Sequence, residues 1–353
     1  MSEAKKLPPS LMPREALEIK PHDVLIARAN GSKRLVGAAV VVPANSRHRL
    51  IFPDLIYRLV PDPSMLDPHY LGVVVAAPLF RRQVESAMRS TSGQFKISKA
   101  DLAEFVVPVP ALAEQRRVVE VLETLGEQER AIEAAIAKAR LIRKEVAREL
   151  LSRREAAVVA VEDVAAVGSG STPSRSRSDY WTEGTVPWVR TAEIAFSVIH
   201  EASEHVTRKA VAETGLRVYP PGTVLLAMYG EGVTRGRSAV LGTPATVNQA
   251  AAAIVCDPYQ IDYRYLYYWL EGQYEEIRRI GQGSNQTNLN SALVSEIKLP
   301  LPSVEEQRRI VSPIEAFDAK LKSDVLELEK LRTLRQGVLD GLLSESRATS
   351  SRS

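Results

Sequence analysis

Two stretches of the chain carry apolar residues at steps of three and four for about forty positions each. In the first they are Val118, Leu122, Leu125, Ile132, Ile136, Ala139, Ile142, Val146 and Leu150; in the second, Ile310, Ile314, Phe317, Leu321, Leu328, Leu331, Leu334, Val338 and Leu342. Such spacing lines one face of a helix and predicts a seam for another helix. At 1.5 Å per residue each helix is about 60 Å long. The expected interhelical packing joins Leu122, Leu125, Ile132, Ile136 and Ile142 to Ile314, Phe317, Leu321, Leu328 and Leu334. Both copies contain a 3,3 step (Ile136-Ala139-Ile142 and Leu328-Leu331-Leu334), a departure from strict heptads. Glu129 and Asp324 each interrupt the seam in one copy only. Periodicity leaves two readings open: a hairpin that glues two domains together, or a spacer that sets the distance between them.

The two patterns begin alike. "FVVPVPALAEQRRVV" (Phe105–Val119) and "IKLPLPSVEEQRRIV" (Ile297–Val311) align at an offset of 192 residues. The offset holds forward to Leu150-Leu151-Ser152 against Leu342-Leu343-Ser344, and backward to Gln94 against Gln286. Further upstream "DVLIA" (Asp23–Ala27) matches "TVLLA" (Thr223–Ala227) at 200, so eight residues are inserted or lost between. The chain is a tandem duplication. Ser303 and Glu306 read as a capping box, whereas Ala111 holds the cap position of the first copy. The prolines suit an extended entry into each helix. Arg116, Arg117, Arg308 and Arg309 read either as braces of the helix start or as a docking site.

Between the helical patterns the periodicity changes. Runs such as "GTVLLAMYG" and "SAVLGTPATVNQAAAAIVC" are strand-like and broken by Gly, Pro and Asn, and "DYRYLYYWLEGQYEEIRRI" (Asp262–Ile280) reads as an aromatic amphipathic helix. Tyr263, Tyr267, Tyr268 and the three tryptophans (Trp181, Trp188, Trp269) are expected mainly in the core. The fold class is mixed α/β. Expected boundaries are a first globular domain at 1–111, a helix at 112–156, a second domain at 157–303, a helix at 304–344 and a disordered tail at 345–353.

Composition narrows the chemistry. A lone cysteine, Cys256, excludes a disulfide framework and a cysteine zinc site; five histidines without ligand spacing argue against a metal. No apolar run has transmembrane length and no signal-peptide core is present, so a cytoplasmic protein without a membrane partner is expected. "GEGVTRGRS" (Gly230–Ser238) imitates a phosphate loop, with the wrong glycine spacing and Arg237 where lysine is required. The net charge of +3 is uneven: residues 1–111 carry +5 and residues 157–303 carry −3. Any contact with nucleic acid in the second domain must come from local clusters.

The paired "PxPxxxEQRR(I/V)V" segments, each followed by a long helix, resemble the specificity subunits of type I restriction–modification systems. "GSGSTPSRSRSDYWTEGTVPWVRTAEI" (Gly168–Ile194) resembles the opening of a target-recognition domain in that family, and "GSNQTNLNSALVSEIKLPLP" (Gly283–Pro302) its close. The resemblance implies two target-recognition domains joined by two long antiparallel helices that form a coiled-coil spacer, with pseudo-twofold internal symmetry. It implies a non-catalytic reader of a bipartite double-stranded DNA target. Modification (methyltransferase) subunits would dock on the helices, and restriction subunits would join them. S-adenosylmethionine, ATP and Mg would be bound by those partners, none by this chain. The first copy lacks a counterpart to Gly168–Ile194, so an N-terminally incomplete first domain is expected. That departure keeps an alternative open: an inactive scaffold or decoy that binds modification subunits without bipartite recognition.

The expected DNA contacts follow from side chains suited to base edges and phosphates. In the second domain they are Ser171, Thr172, Arg175 and Arg177 in one loop, Tyr229, Arg235 and Arg237 in another, and Gln282, Ser284, Asn285, Gln286 and Asn288 before the last short helix. In the first domain they are Arg28, Lys33 and Arg34, the cluster at Arg47, and Gln94 with Lys96. No catalytic and no metal-binding residue is expected.

Overall fold

The computed structural model describes residues 18–44, 50–91, 93–152, 156–230, 232–280 and 289–350, with Thr91 and residues 342–350 described by their backbone alone. The chain folds as two compact units, Met1–Ala135 with Asp324–Ser353, and Ile136–Ser323. The division falls inside both long helices.

Unit 1 is built on β1 (Val24–Ala27), then β2 (Ala29–Asn30), β3 (Ala39–Val41), β4 (Ile56–Leu59), α1 (Pro68–Ala76), α2 (Pro78–Ala87), β5 (Arg89–Thr91), β6 (Gln94–Lys96), α3 (Lys99–Ala103) and α4 (Leu112–Leu151). β1 lies between β3 and β4, antiparallel to both, with Val24 opposite Val41 and Leu59. Alternation sends Val24 and Ile26 into a core with Leu71, Val75, Phe80 and Val84. Asp67 caps α1 by accepting from His69 N at 2.8 Å, and proline opens the helix where no N–H is needed.

Unit 2 adds β7 (Ala157–Ala160), α5 (Val161–Val164), β8 (Ala165–Ser169), β9 (Val186–Val189), β10 (Val198–Ile199), β11 (Glu204–Val206), α6 (Arg208–Thr214), β12 (Val224–Ala227), β13 (Ser238–Leu241), β14 (Thr246–Val247), β15 (Ala251–Cys256), α7 (Tyr263–Gly272), α8 (Tyr274–Arg279), α9 (Ser291–Ser295), β16 (Lys298–Leu301) and α10 (Val304–Ser350). The main sheet runs β10-β13-β12-β15-β8, and a second runs β11-β9-β14. β12 is buried on both faces, hence its unbroken apolar run. Val224 and Leu226 join a core with Leu266 and Leu270 of α7, while Leu225 and Ala227 face Val189, Ile194, Ile199 and Tyr219. A Cβ on Gly170 would fall 1.5 Å from the Val247 carbonyl oxygen, so only glycine lets this loop cross β14.

The duplication is visible strand by strand. Val224 sits opposite Val240 and Ile254, as Val24 sits opposite Val41 and Leu59. The offset is 200 at the central strand, 199 at the next, 195 at the third and 192 at the last short helix, so the eight-residue difference is spread over three intervals of the chain. One difference is large. The second core of unit 2 has no counterpart among the described residues of unit 1, where Leu25 and Ala27 are half-buried and Val40 and Val60 are 59% and 70% exposed.

The helices pair antiparallel within each unit. In unit 1, Val118 and Leu122 pack with Val338 and Leu339, and Glu133 and Glu129 meet Arg332 and Arg335. In unit 2, Arg143 of α4 meets Asp318 of α10. Leu122, Ile136, Ile314 and Leu328 are buried and Leu125, Ile132, Phe317 and Leu321 half-buried, but Ile142 and Leu334 are 40% and 56% exposed. At about 100° per residue, two steps of three fall about 120° short of two full turns and carry the last residue off the seam. The seam positions belong instead to Arg143 and Arg335, seven residues beyond Ile136 and Leu328. α10 continues to Ser350, six residues into the expected tail, because "SESRATS" contains no helix breaker.

Ser303 Oγ accepts from Glu306 N at 3.3 Å, as its capping role requires. The hydrogen bonds that fasten each helix start come from glutamines, and in the second copy the neighbouring Arg308 adds an ion pair to Asp262. Gln115 and Gln307 are fully buried. Gln307 accepts from Asp262 N at 2.7 Å and donates to the carbonyls of Pro302 (2.8 Å) and Gln260 (3.0 Å). Gln115 accepts from Asp67 N at 2.8 Å and donates to Pro110 (2.7 Å) and Met65 (2.8 Å). Arg308 lies 3.6 Å from Asp262, and Arg309 pairs within its own helix to Glu305.

Candidate nucleic-acid interface

In unit 1 the fold gathers four cations. Arg28 links β1 to β2, and β2 pairs with β6, so Ala29 lies opposite Lys96. The turn bearing exposed Lys33 and Arg34 is clamped from α2 by Arg81, which donates to the carbonyls of Lys33 (2.9 Å) and Val36. Gln94 and Lys96 are exposed on the β5–β6 hairpin. The Arg28 guanidinium lies 5.2 Å from the Tyr57 ring centre, and its Nε is buried without a hydrogen-bond partner among the described residues. None of Arg28, Lys33, Arg34 and Lys96 has a carboxylate partner among the described residues. Arg47 lies outside the described residues.

The matching loop of unit 2 is clamped the same way. From α8, Arg278 donates to the Gly232 carbonyl and Tyr274 to that of Val233. Arg235 donates back to the Arg278 carbonyl, so it holds the loop's shape. Gly236 turns here with φ 84°, and a Cβ would strike Arg278. Tyr229 is 37% exposed. Arg237 lies 5.9 Å from the Phe196 ring centre, its Nε is buried without a partner, and it has no acceptor among the described residues. Gln282, Ser284, Asn285, Gln286 and Asn288 lie outside the described residues; Asn290, just beyond, caps α9.

The loop at 171–177 reads in sequence as a small basic, hydroxyl-rich turn, and it is ion-paired in the fold. Arg175 stacks 3.6 Å from the centre of Trp181 and pairs with Glu204. Arg177 pairs with Asp179 and Glu213 and lies over Tyr180. Hydrogen bonds from Arg177 and Lys209 hold the Asp179 carboxyl well below the usual carboxylate range. Two of the carboxylates come from distant positions that α6 and β11 fold onto the loop, which linear charge counting does not reveal. Thr172 donates to Gln249, and the Ser171 carbonyl accepts from Trp188 Nε1 at 3.0 Å while the Ser171 hydroxyl is buried without a partner among the described residues. Arg190, Glu204 and Gln249 belong to this surface and escape sequence reasoning; the only signal is the "VNQ" run between two strands. Trp188 and Trp269 are buried and Trp181 half-buried, as expected of core aromatics; Tyr267 and Tyr268 are buried too, while Tyr263 is 38% exposed.

Among the described residues no group of three or more His, Cys, Asp or Glu could hold a metal ion, and no helix is long and apolar enough to cross a membrane.

Residues 154–330 match the family model described as type I restriction modification DNA specificity domain. The chain is 30% identical over 189 residues to the type I restriction enzyme MjaIX specificity subunit of Methanocaldococcus jannaschii, covering 51% of this chain and 43% of that protein. It is 25% identical over 171 residues to the EcoR124I/EcoR124II specificity subunit of Escherichia coli, covering 47% and 42%. The chain thus spans less than half the length of these curated relatives. A crystal structure of a type I S subunit from M. genitalium superposes with a TM-score of 0.61 at 16% identity, over 92% of this chain and 83% of that one. The HsdS subunit from Thermoanaerobacter tengcongensis gives 0.52 at 20% identity, over 92% and 81%. At these identities the structures establish the fold.

Proposed function

Since the chain belongs to the type I restriction modification DNA specificity domain family, we propose that it is the sequence-reading subunit of a type I restriction–modification complex, taking a bipartite double-stranded DNA target. One observation carries the reading: the same clamped loop follows the central strand in both units and offers arginine that has no carboxylate partner among the described residues, Arg28 in one and Arg237 in the other. Such cations attract phosphate or guanine edges, and a scaffold present twice suits a target in two halves.

The chain acts as the specificity component, and catalysis belongs to its partners. Modification subunits dock on the long helices, where Val121, Leu141, Ile142, Leu326 and Leu334 present 39–68% of their surface. Apolar residues in such number on helices that already have a seam suit further helices. Restriction subunits complete the complex, the partners hold S-adenosylmethionine, ATP and Mg, and the complex works in the cytoplasm. The test is the methylome of cells expressing this chain with its modification subunits. A split motif methylated only when the chain is present is expected. Methylation without a motif would replace this reading by that of a scaffold blind to DNA sequence.

A further inference from the structure

Arg175, which lies over Trp181 and Trp188, and Arg190 share one carboxylate, that of Glu204. Glu204 leads β11, which is fixed antiparallel to β9 with Glu204 opposite Trp188. One carboxylate oxygen takes Arg175 Nη1; the other lies 3.2 Å from Arg190 Nη1. Arg175 lies against Trp181 at 3.6 Å and 5.1 Å from the Trp188 centre, and the two indoles meet edge to face. Arg190 Nη2 donates to Ser203 Oγ at 2.9 Å, and its Nε lies 3.9 Å from Glu193. Both arginine side chains remain about half exposed, at 53% and 45%, while the Glu204 side chain is 25% exposed. Arg175 makes no other hydrogen bond among the described residues, so Nε and Nη2 keep their donors.

Two features follow. The guanidinium planes are held by a carboxylate on a paired strand and, for Arg175, by an aromatic face, so their donors have a set direction. The cluster also has two cations and two carboxylates, so it adds little attraction for phosphate. A fixed, charge-balanced fork suits base edges, where geometry discriminates, better than the backbone, where charge dominates.

Building on the DNA-reading function above, we propose that Glu204 is a specificity-determining positioning residue, holding Arg175 and Arg190 as fixed forks toward base edges in one half of the target. Glu204 itself touches no base in this scheme; it acts through the arginines.

The experiment selects duplexes from a random-sequence library on the full chain and on its Glu204→Gln, Glu204→Asp and Arg175→Lys variants. Affinity for the selected and for random duplexes is then measured across salt. In the wild type a split motif is expected. Glu204→Gln should lose at least about tenfold discrimination at one or two adjacent base pairs of one half. Its binding to random duplex should tighten, with a salt slope steeper by about one. Arg175→Lys should lose discrimination at the same positions, and Glu204→Asp should keep most of it. Tryptophan fluorescence should report unchanged unfolding in every variant. A Glu204→Gln profile identical to wild type overturns the proposal, as does an even loss across the motif accompanied by earlier unfolding. A wild-type chain that enriches no motif overturns the DNA-reading function itself, a separate outcome.

Discussion

Gln307 takes a hydrogen bond from the backbone of Asp262 at 2.7 Å, and Gln115 takes the equivalent one from Asp67 at 2.8 Å. Each glutamine therefore fastens the first turn of a long helix to the residue that caps the aromatic or apolar helix beside it. The two bonds lie in different units and have the same donors and acceptors. The repeated Glu-Gln-Arg-Arg is thus a fastening, and its working residue is the glutamine.

Replacing Gln307 by Ala leaves a buried N–H and two carbonyls without their partner, at a cost of about 1–3 kcal/mol. Hydrogen exchange at the Asp262 amide should accelerate correspondingly, while the Asp67 amide keeps its wild-type rate. Gln115→Ala should give the opposite pattern.

Arg143 is 15% exposed and bridges Glu271 (2.7 Å) and Asp318 (3.0 Å). Burial opposes its charge, but hydrogen bonds to both carboxylates more than offset that and hold its proton more tightly than usual. Arg143→Met leaves Glu271 without its cation and Asp318 with the Tyr268 hydroxyl but no cation, and should destabilise unit 2 by about 3 kcal/mol. All three tryptophans lie in unit 2, so their fluorescence during denaturant unfolding measures this directly.

Asp262 supplies a pH dependence. Burial would raise its carboxyl, but hydrogen bonds from the Arg264 side chain and backbone outweigh burial and lower it below the ordinary carboxylate value. Its contribution to stability is therefore complete above that ordinary value and is lost as pH falls through the depressed one. Between neutral pH and about pH 3, Asp262→Asn should show a smaller loss of stability than wild type in tryptophan-monitored unfolding.

Burial pushes the Cys256 thiol up to about 12, with Asp262 adding to the shift. Thiolate is the reactive form. At about pH 8 a disulfide reagent such as DTNB should therefore label the folded chain far more slowly than the denatured one, with full labelling after unfolding.

Cations without a carboxylate partner among the described residues should differ on DNA from a paired arginine. Arg237→Ala, or Lys33→Ala with Arg34→Ala, should weaken binding to all duplexes and lower the salt slope by about one for each phosphate no longer neutralised. Arg177→Ala, whose charge Asp179 and Glu213 already balance, should leave that slope near wild type. Affinity titrations at several salt concentrations separate the two.

The repeat, the long helices and the strands of each central sheet could be read from sequence, because each rests on local periodicity or on matching segments. Two kinds of feature could not. Ile142 and Leu334 look like seam residues because they are apolar and three from the last one; only the accumulated rotation puts Arg143 and Arg335 in their place. The other kind is pairing at a distance. Arg175 and Arg177 read as loose charges because Glu204 and Glu213 lie 29 and 36 residues away. Charge that is cancelled by folding cannot be counted along a line.

The sheet around β12 is roofed and floored; the sheet around β1 has only its floor among the described residues. Water reaches the upper side at Val40 and Val60, where unit 2 has a dry interior. The twin strands, alike in register, should therefore keep different clocks: on warming in heavy water, the β1 amides should take up deuterium first and those of β12 later. A chain built by copying one half from the other is in this respect lopsided, with one durable half and one expected to loosen early.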